Sequence, residues 1–200
     1  MRKGERTKSA ILNHAVATAS QLGLEGLSIG SLADRLEMSK SGLFAHFGSK
    51  EDLQIAVVHQ ARQMFSDHVF TPALHEPAGL PRLSAIVQNW VTWTRSADLP
   101  GGCPITAAAY EYDDRPGALR DLLSQTLREL RKTLARSVRV AVEAGHLRVG
   151  TEPEQLAFEI LGIYLASQLE ARLFGDPEAW PRGLASFETL IDRYRTGTQT

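Results

Sequence analysis

The amino-acid sequence predicts an all-α fold of about nine helices, arranged as a small N-terminal three-helix module and a larger helical remainder. Three observations carry that expectation. Apolar residues recur three and four apart along almost the whole chain, and no segment alternates with the period of two that a half-buried strand needs. Pro72, Pro77 and Pro81 then interrupt the helical pattern, marking a boundary. The 200 residues are 43% hydrophobic and 22% charged, enough for a real core and too apolar for a disordered chain.

A first helix over residues 5–22 carries Ile11, Leu12, Ala15, Val16, Ala19 and Leu22 on one side, and Gly23 followed by Leu24 suits a Schellman ending. Two short helices, 29–36 and 40–47, meet at Glu37-Met38-Ser39. Ser49-Lys50-Glu51-Asp52 reads as an N-cap with acids in the first turn, opening a connecting helix to residue 69. The expected division is a module over residues 1–55 and a second domain over 70–200.

Beyond the prolines, residues 83–97 read as a helix with Trp90 and Trp93, and Pro100-Gly101-Gly102-Cys103-Pro104 as a turn into a shorter helix, 105–112. Pro116 stands near the start of a long helix that Gly145 caps; its stripe runs Leu119, Leu123, Leu127, Leu130, Leu134, Val138 and Ala141. Residues 154–174 are apolar nearly all the way round, and the last helix, after Pro181, shows an apolar face of its own. A helix with no polar face must be buried on both sides. This pair is therefore expected to pack inward and also against a second copy through Leu161, Leu165, Leu169, Leu184, Phe187 and Ile191. A central helix within a monomer is the alternative.

The informative stretch runs from Ser28 to Asp52. Two helices of about two turns each, separated by three residues, match the helix-turn-helix arrangement. Leu32, Leu36, Met38 and Leu43 fill the angle between them, and small Ala33 lets the second helix approach. Ser39 caps that second helix and leaves its first residues projecting outward, where base edges would be met.

The run Ser39-Lys40-Ser41-Gly42-Leu43-Phe44-Ala45-His46-Phe47-Gly48-Ser49-Lys50-Glu51-Asp52-Leu53 resembles the signature of the tetracycline-repressor (TetR) family of bacterial regulators, S-x-x-x-[LI]-[YF]-x-H-F-x-[SN]-K-[ED]-x-L. The likeness is dense over residues 7–55. It implies a homodimeric repressor, less often an activator, that binds a pseudo-palindromic operator in double-stranded DNA. An unidentified small-molecule effector bound by the C-terminal domain would shift the spacing of the two reading heads. Carried over by position, Lys40, Ser41, Gly42 and Ala45 would face bases, with Lys40 reading guanine. Ser28, Phe44, His46 and Lys50 would meet backbone phosphates, although His46 can equally bond within the module. Arg2, Lys3, Arg6 and Lys8 read as an arm that touches DNA or merely as a solubilising tail. Two positions depart from the family. Glu37 stands where glycine is usual, and Phe44 replaces the usual tyrosine and its phosphate-binding hydroxyl.

On the effector side, Trp90, Trp93, Tyr110, Tyr112, Phe158 and Tyr164 are candidates to line a cavity, with plain core as the alternative for each. Glu111, Asp113 and Asp114 beside Arg115 are candidates to orient a polar or cationic ligand, with a solvated helix end as the alternative. Cys103 is a candidate thiol sensor near a helix start, or simply a small buried residue. No metal site or cofactor is expected: His59 and His68 are too far out of phase along a helix to share an ion. An enzyme is not expected either, because no Gly-rich phosphate loop, metal-spaced cluster or nucleophile elbow occurs. An interaction protein on the same fold, acting through a protein partner while bound to DNA, is the alternative to an effector-released regulator. With one cysteine and no long apolar run, the expected setting is the cytoplasm, without a membrane partner. Net charge is −1, which by itself argues against nucleic acid, but residues 1–50 carry +3 and the rest −4.

Overall fold

The computed structural model describes residues 3–197. Within them the chain forms nine helices and no strand. These are α1 (Lys3–Leu22), α2 (Ile29–Arg35), α3 (Lys40–Phe47), α4 (Lys50–Phe65), α5 (Leu80–Thr94), α6 (Pro104–Tyr112), α7 (Ala118–Glu143), α8 (Pro153–Leu169) and α9 (Ala179–Tyr194). Helices α4 and α8 run on into π-helical turns, Ser66–Phe70 and Glu170–Phe174, and α4 adds a last short piece, Thr71–Ala73. None of the described helices is long and apolar enough to cross a membrane.

Two helices begin earlier than their prolines suggest. Pro81 and Pro181 sit inside the first turns of α5 and α9, where the backbone N–H that proline lacks would have no helical partner anyway. Helix α1 begins at Lys3, so the arm expected there is helical instead. Lys8 rests with its ammonium 5.5 Å from the centre of the Phe47 ring; Arg2 and the side chains of Lys3 and Arg6 lie outside the described residues.

The chain divides into two compact units. The first takes everything up to Met64 together with Thr94–Thr126. Its core joins Ile11, Leu12, Ala15 and Val16 of α1 to Leu32, Leu43 and Phe47 of the short helices and to Leu53 and Val57 of α4. The segment before α6 lies close against α1. Gly101 N–H donates to Ser20 Oγ at 3.0 Å, and a Cβ on Gly101 would fall on the backbone of Ser20.

The second unit takes Phe65–Trp93 and everything from Leu127 on. The 26-residue α7, about 39 Å long, thus gives its first turns to one unit and the remainder to the other. In the second unit α9 packs along α8. Trp180, Phe187, Leu190 and Ile191 are buried there. The Arg182 guanidinium holds Glu170 and Asp176, each at 2.8 Å, across the turn between the two helices. The chain end returns to the loop after α7, where Thr196 Oγ1 donates to the carbonyl of Gly145 at 2.8 Å.

Candidate functional site

Local chemistry sets the geometry of α2 and α3. Ser28 has the extended backbone of an N-cap; its Oγ accepts from the Ser31 N–H at 3.0 Å, and the Ser31 hydroxyl oxygen accepts from the Ser28 N–H at 3.3 Å. At the other end Met38 N–H donates to Ala33 at 3.0 Å and Glu37 N–H to Asp34 at 3.4 Å. These are the two bonds of a Schellman ending. They put Glu37 at φ 52°, the one non-glycine in the left-handed region among the described residues.

Ser39 then caps α3, accepting from the Gly42 N–H at 3.1 Å. A Cβ on Gly42 would crowd that same hydroxyl, so glycine preserves the cap. Leu43 and Phe47 are buried on one side of α3, whereas Lys40, Ser41, Phe44 and Ala45 are exposed on the other. Phe44 is 54% exposed, a large aromatic surface with no hydroxyl to anchor. Gly42 and His46 are half-buried, His46 with its ring beside Phe47. Gly48, at φ 75°, ends the helix, and Ser49 caps α4 by accepting from Asp52 N–H at 3.0 Å.

Lys50 does not stand free beside this face. Its Nζ donates to the Glu25 carbonyl at 2.8 Å and to Glu25 Oε1 at 2.9 Å. The other carboxylate oxygen, Oε2, accepts from the Tyr112 hydroxyl at 3.0 Å and from Arg115 at 3.2 Å. Gln54, buried, donates to both Tyr112 Oη and the Leu24 carbonyl. Glu111 Oε2 accepts from the Glu25 N–H at 3.1 Å. The Lys50 bond, and then the Tyr112 bond, hold the Glu25 carboxyl below its usual range. Burial and the bond to Glu25 push the Tyr112 phenol up to about 12. Sequence reasoning did not find this hub, because its members come from the α1–α2 loop, α4 and the end of α6. The nearest signal was the Glu111–Arg115 charge cluster.

Residues 11–57 match the family model for bacterial regulatory proteins of the tetR family, and residues 79–187 match a tetracyclin repressor-like C-terminal domain. The chain belongs to the tetracycline-repressor family. It has the fold of a DNA-binding transcriptional regulator, and the family's role is regulatory rather than enzymatic. A TetR transcriptional regulator from Chloroflexus aurantiacus is 25% identical, with TM-score 0.88 over 98% of this chain and 100% of that one. A TetR-family regulator from Cytophaga hutchinsonii is 20% identical, with TM-score 0.83 over 99% of both chains. A transcriptional regulator from Saccharomonospora viridis in complex with choline is 17% identical, with TM-score 0.80 over 95% of this chain and 97% of that one. No curated protein matches the sequence.

The residues of this TetR-family chain singled out for an effector divide between the two units. Trp90 and Tyr164 are buried and stacked, ring centres 3.8 Å apart. Phe65 meets Trp90 and Trp93 edge-on at 5.5 and 5.3 Å. The indole N–H groups of Trp90 and Trp93 are buried without a hydrogen-bond partner, as is Gln168 Oε1. A void of about 20 Å³ lies among Trp90, Tyr164, Trp180 and Phe187. Cys103 and Tyr110 belong to the other unit: Cys103 is buried at the start of α6, and Tyr110 is exposed. Phe158 is exposed on α8 and does not line that void.

The six residues expected to pair two copies also divide. Phe187 and Ile191 are buried inside their own unit, so they pack α9 onto the protomer rather than presenting it outward. Leu161, Leu165 and Leu184 are half-buried, and Leu169 is exposed. The outward face of α8 and its π-helical extension instead carries Phe158, Leu169, Leu173 and Phe174, each 55–70% exposed. Beside it, a groove of about 610 Å³ between α8 and α9 has small residues, Gly162, Ala166, Ala185 and Ser186, and also the charged Glu159, Arg182 and Arg193 in its lining.

Proposed function

We propose that this protein is a cytoplasmic, ligand-responsive repressor that binds a pseudo-palindromic operator as a homodimer and leaves it when a small molecule binds. The reading is carried by one observation: the solvent face of α3 presents Lys40, Ser41, Phe44 and Ala45 together, opposite the buried Leu43 and Phe47. A helix anchored on one side and capped at its start can enter the major groove with its first residues on the bases. Lys40 supplies the donor for guanine O6 and N7. Ser28, Phe44, His46 and Lys50 are assigned to the phosphate backbone, Phe44 by packing alone.

Pairing is assigned to α8 and α9. Four large apolar side chains exposed at helical spacing favour an obligate partner, and a second copy supplies the same face by two-fold symmetry. The effector is assigned to the cluster around Trp90, Trp93 and Tyr164, where buried unpaired indole donors favour a ligand bearing a hydrogen-bond acceptor. Residues 1–55 are the reading head in this scheme, and residues 70–200 sense and pair. The tightness of the aromatic cluster favours one second reading, a DNA-bound platform that answers to a protein partner and takes no small molecule.

Operator binding is tested by mapping genomic sites and measuring affinity with Lys40→Ala. Loss of a bidentate base contact is expected to weaken the specific site by about 1–3 kcal/mol, leaving non-specific binding much less affected. Unchanged specific affinity would show that Lys40 does not read a base. A small molecule that releases the DNA supports the effector reading, and a stoichiometric protein on the complex with no such molecule supports the platform.

A further inference from the structure

We propose that Glu25 is a charge latch on Lys50: in the DNA-free protein its carboxylate neutralises this ammonium, and Tyr112 and Arg115 hold the carboxylate so that Lys50 reaches a phosphate only by letting go. The proposal rests on residues 28–50 being the DNA face, and it changes what Lys50 does there.

An ammonium has three N–H donors. Two of those on Lys50 go to Glu25, one to its carbonyl at 2.8 Å and one to Oε1 at 2.9 Å. A phosphate approaching the third would meet a carboxylate beside it, and like charges at that distance repel. The carboxylate is tethered where it stands, independently of the lysine. Its other oxygen is bonded to Tyr112 and Arg115, and its own backbone N–H is held by Glu111. The Tyr112 ring is buried, and its hydroxyl also accepts from Gln54, itself buried and tied to the Leu24 carbonyl. The acid is held by Tyr112 and Arg115 as well as by Lys50, so the lysine is the partner that lets go; both side chains keep solvent access, Lys50 at 43% and Glu25 at 55%. Glu25, Tyr112 and Arg115 are positioning residues in this scheme. They set how much of the Lys50 charge DNA can feel.

The test is the salt dependence of binding to a duplex of arbitrary sequence, compared among the native protein, Glu25→Gln, Lys50→Ala and the double variant. Each released counterion adds about 0.9 to the slope of log affinity against log salt. Glu25→Gln, nearly isosteric, is expected to steepen the slope by about one such unit and to tighten binding several-fold at low salt. In the Lys50→Ala background the same substitution is expected to do much less, because the freed ammonium is gone. An equal gain in both backgrounds means a general charge effect and overturns the latch. Weaker binding by Glu25→Gln also overturns it, since Glu25 would then be presenting Lys50 to DNA. Tyr112→Phe, which loosens the anchor without changing charge, is expected to move the slope in the same direction by a smaller amount; no movement in either variant overturns the proposal. Salt-insensitive binding by the native protein would overturn the DNA face as well, whereas loss of operator affinity in Lys40→Ala with an unmoved Glu25→Gln overturns the latch alone.

Discussion

Glu37 shows how one side chain can be strained by the motif it completes. The Schellman bonds to Ala33 and Asp34 require a left-handed residue at that position, and a glutamate takes it at φ 52°. The Cβ–carbonyl crowding in that region costs about 1 kcal/mol relative to glycine. Glu37→Gly should therefore raise stability by about that amount. For a chain of this size the expected rise in melting temperature is roughly 2–4 °C by calorimetry. No gain, or a loss, would mean that the glutamate side chain makes up for the strain. The strain was legible through the family resemblance, because Glu37 stands where glycine is usual.

At the scale of elements, helix positions follow from apolar spacing and caps, and Ser28, Ser39 and Ser49 each begin a helix by accepting a backbone N–H. What spacing does not convey is which elements touch. The Pro100–Pro104 turn reads as a plain loop, yet Gly101 lies so close to α1 that no side chain fits against Ser20. Gly101→Ala is expected to destabilise the first unit by at least about 2 kcal/mol, from overpacking against a backbone that cannot rotate away. A denaturant midpoint equal to that of the native protein would show that the turn shifts freely. The hub at Glu25 was hidden for the same reason. Tyr112 reads from the sequence as a cavity or core aromatic and Gln54 as an ordinary amide, until the fold brings them to one carboxylate.

For the whole molecule, the question is what covers the outward face of α8. A solvated helix does not carry Phe158, Leu169, Leu173 and Phe174 on one side without a partner. If a second copy is that partner, Leu169→Glu with Leu173→Glu buries uncompensated charge at the interface. A penalty of roughly 3–5 kcal/mol would weaken the dimer more than a hundredfold. Sedimentation should then find monomers with the native helix content and poor operator binding. Dimers that persist in the double variant would place the interface elsewhere. Charge belongs to this scale as well: a net of −1 describes neither the +3 of residues 1–50 nor the −4 of the remainder.

The sequence by itself determined the all-α class, the helix-turn-helix with its Ser39 and Ser49 caps, and the family, because each rests on neighbours close along the chain. Periodicity, capping and a dense motif all act within one or two helical turns. Only the tertiary structure decided that Phe187 and Ile191 face inward, that Cys103 and Tyr110 belong to a different unit from Trp90, and that Lys50 is held by Glu25. An apolar side chain gains equally from either of two partners, and a charge is satisfied by whichever opposite group arrives. Which one arrives is set by contacts between residues tens of positions apart.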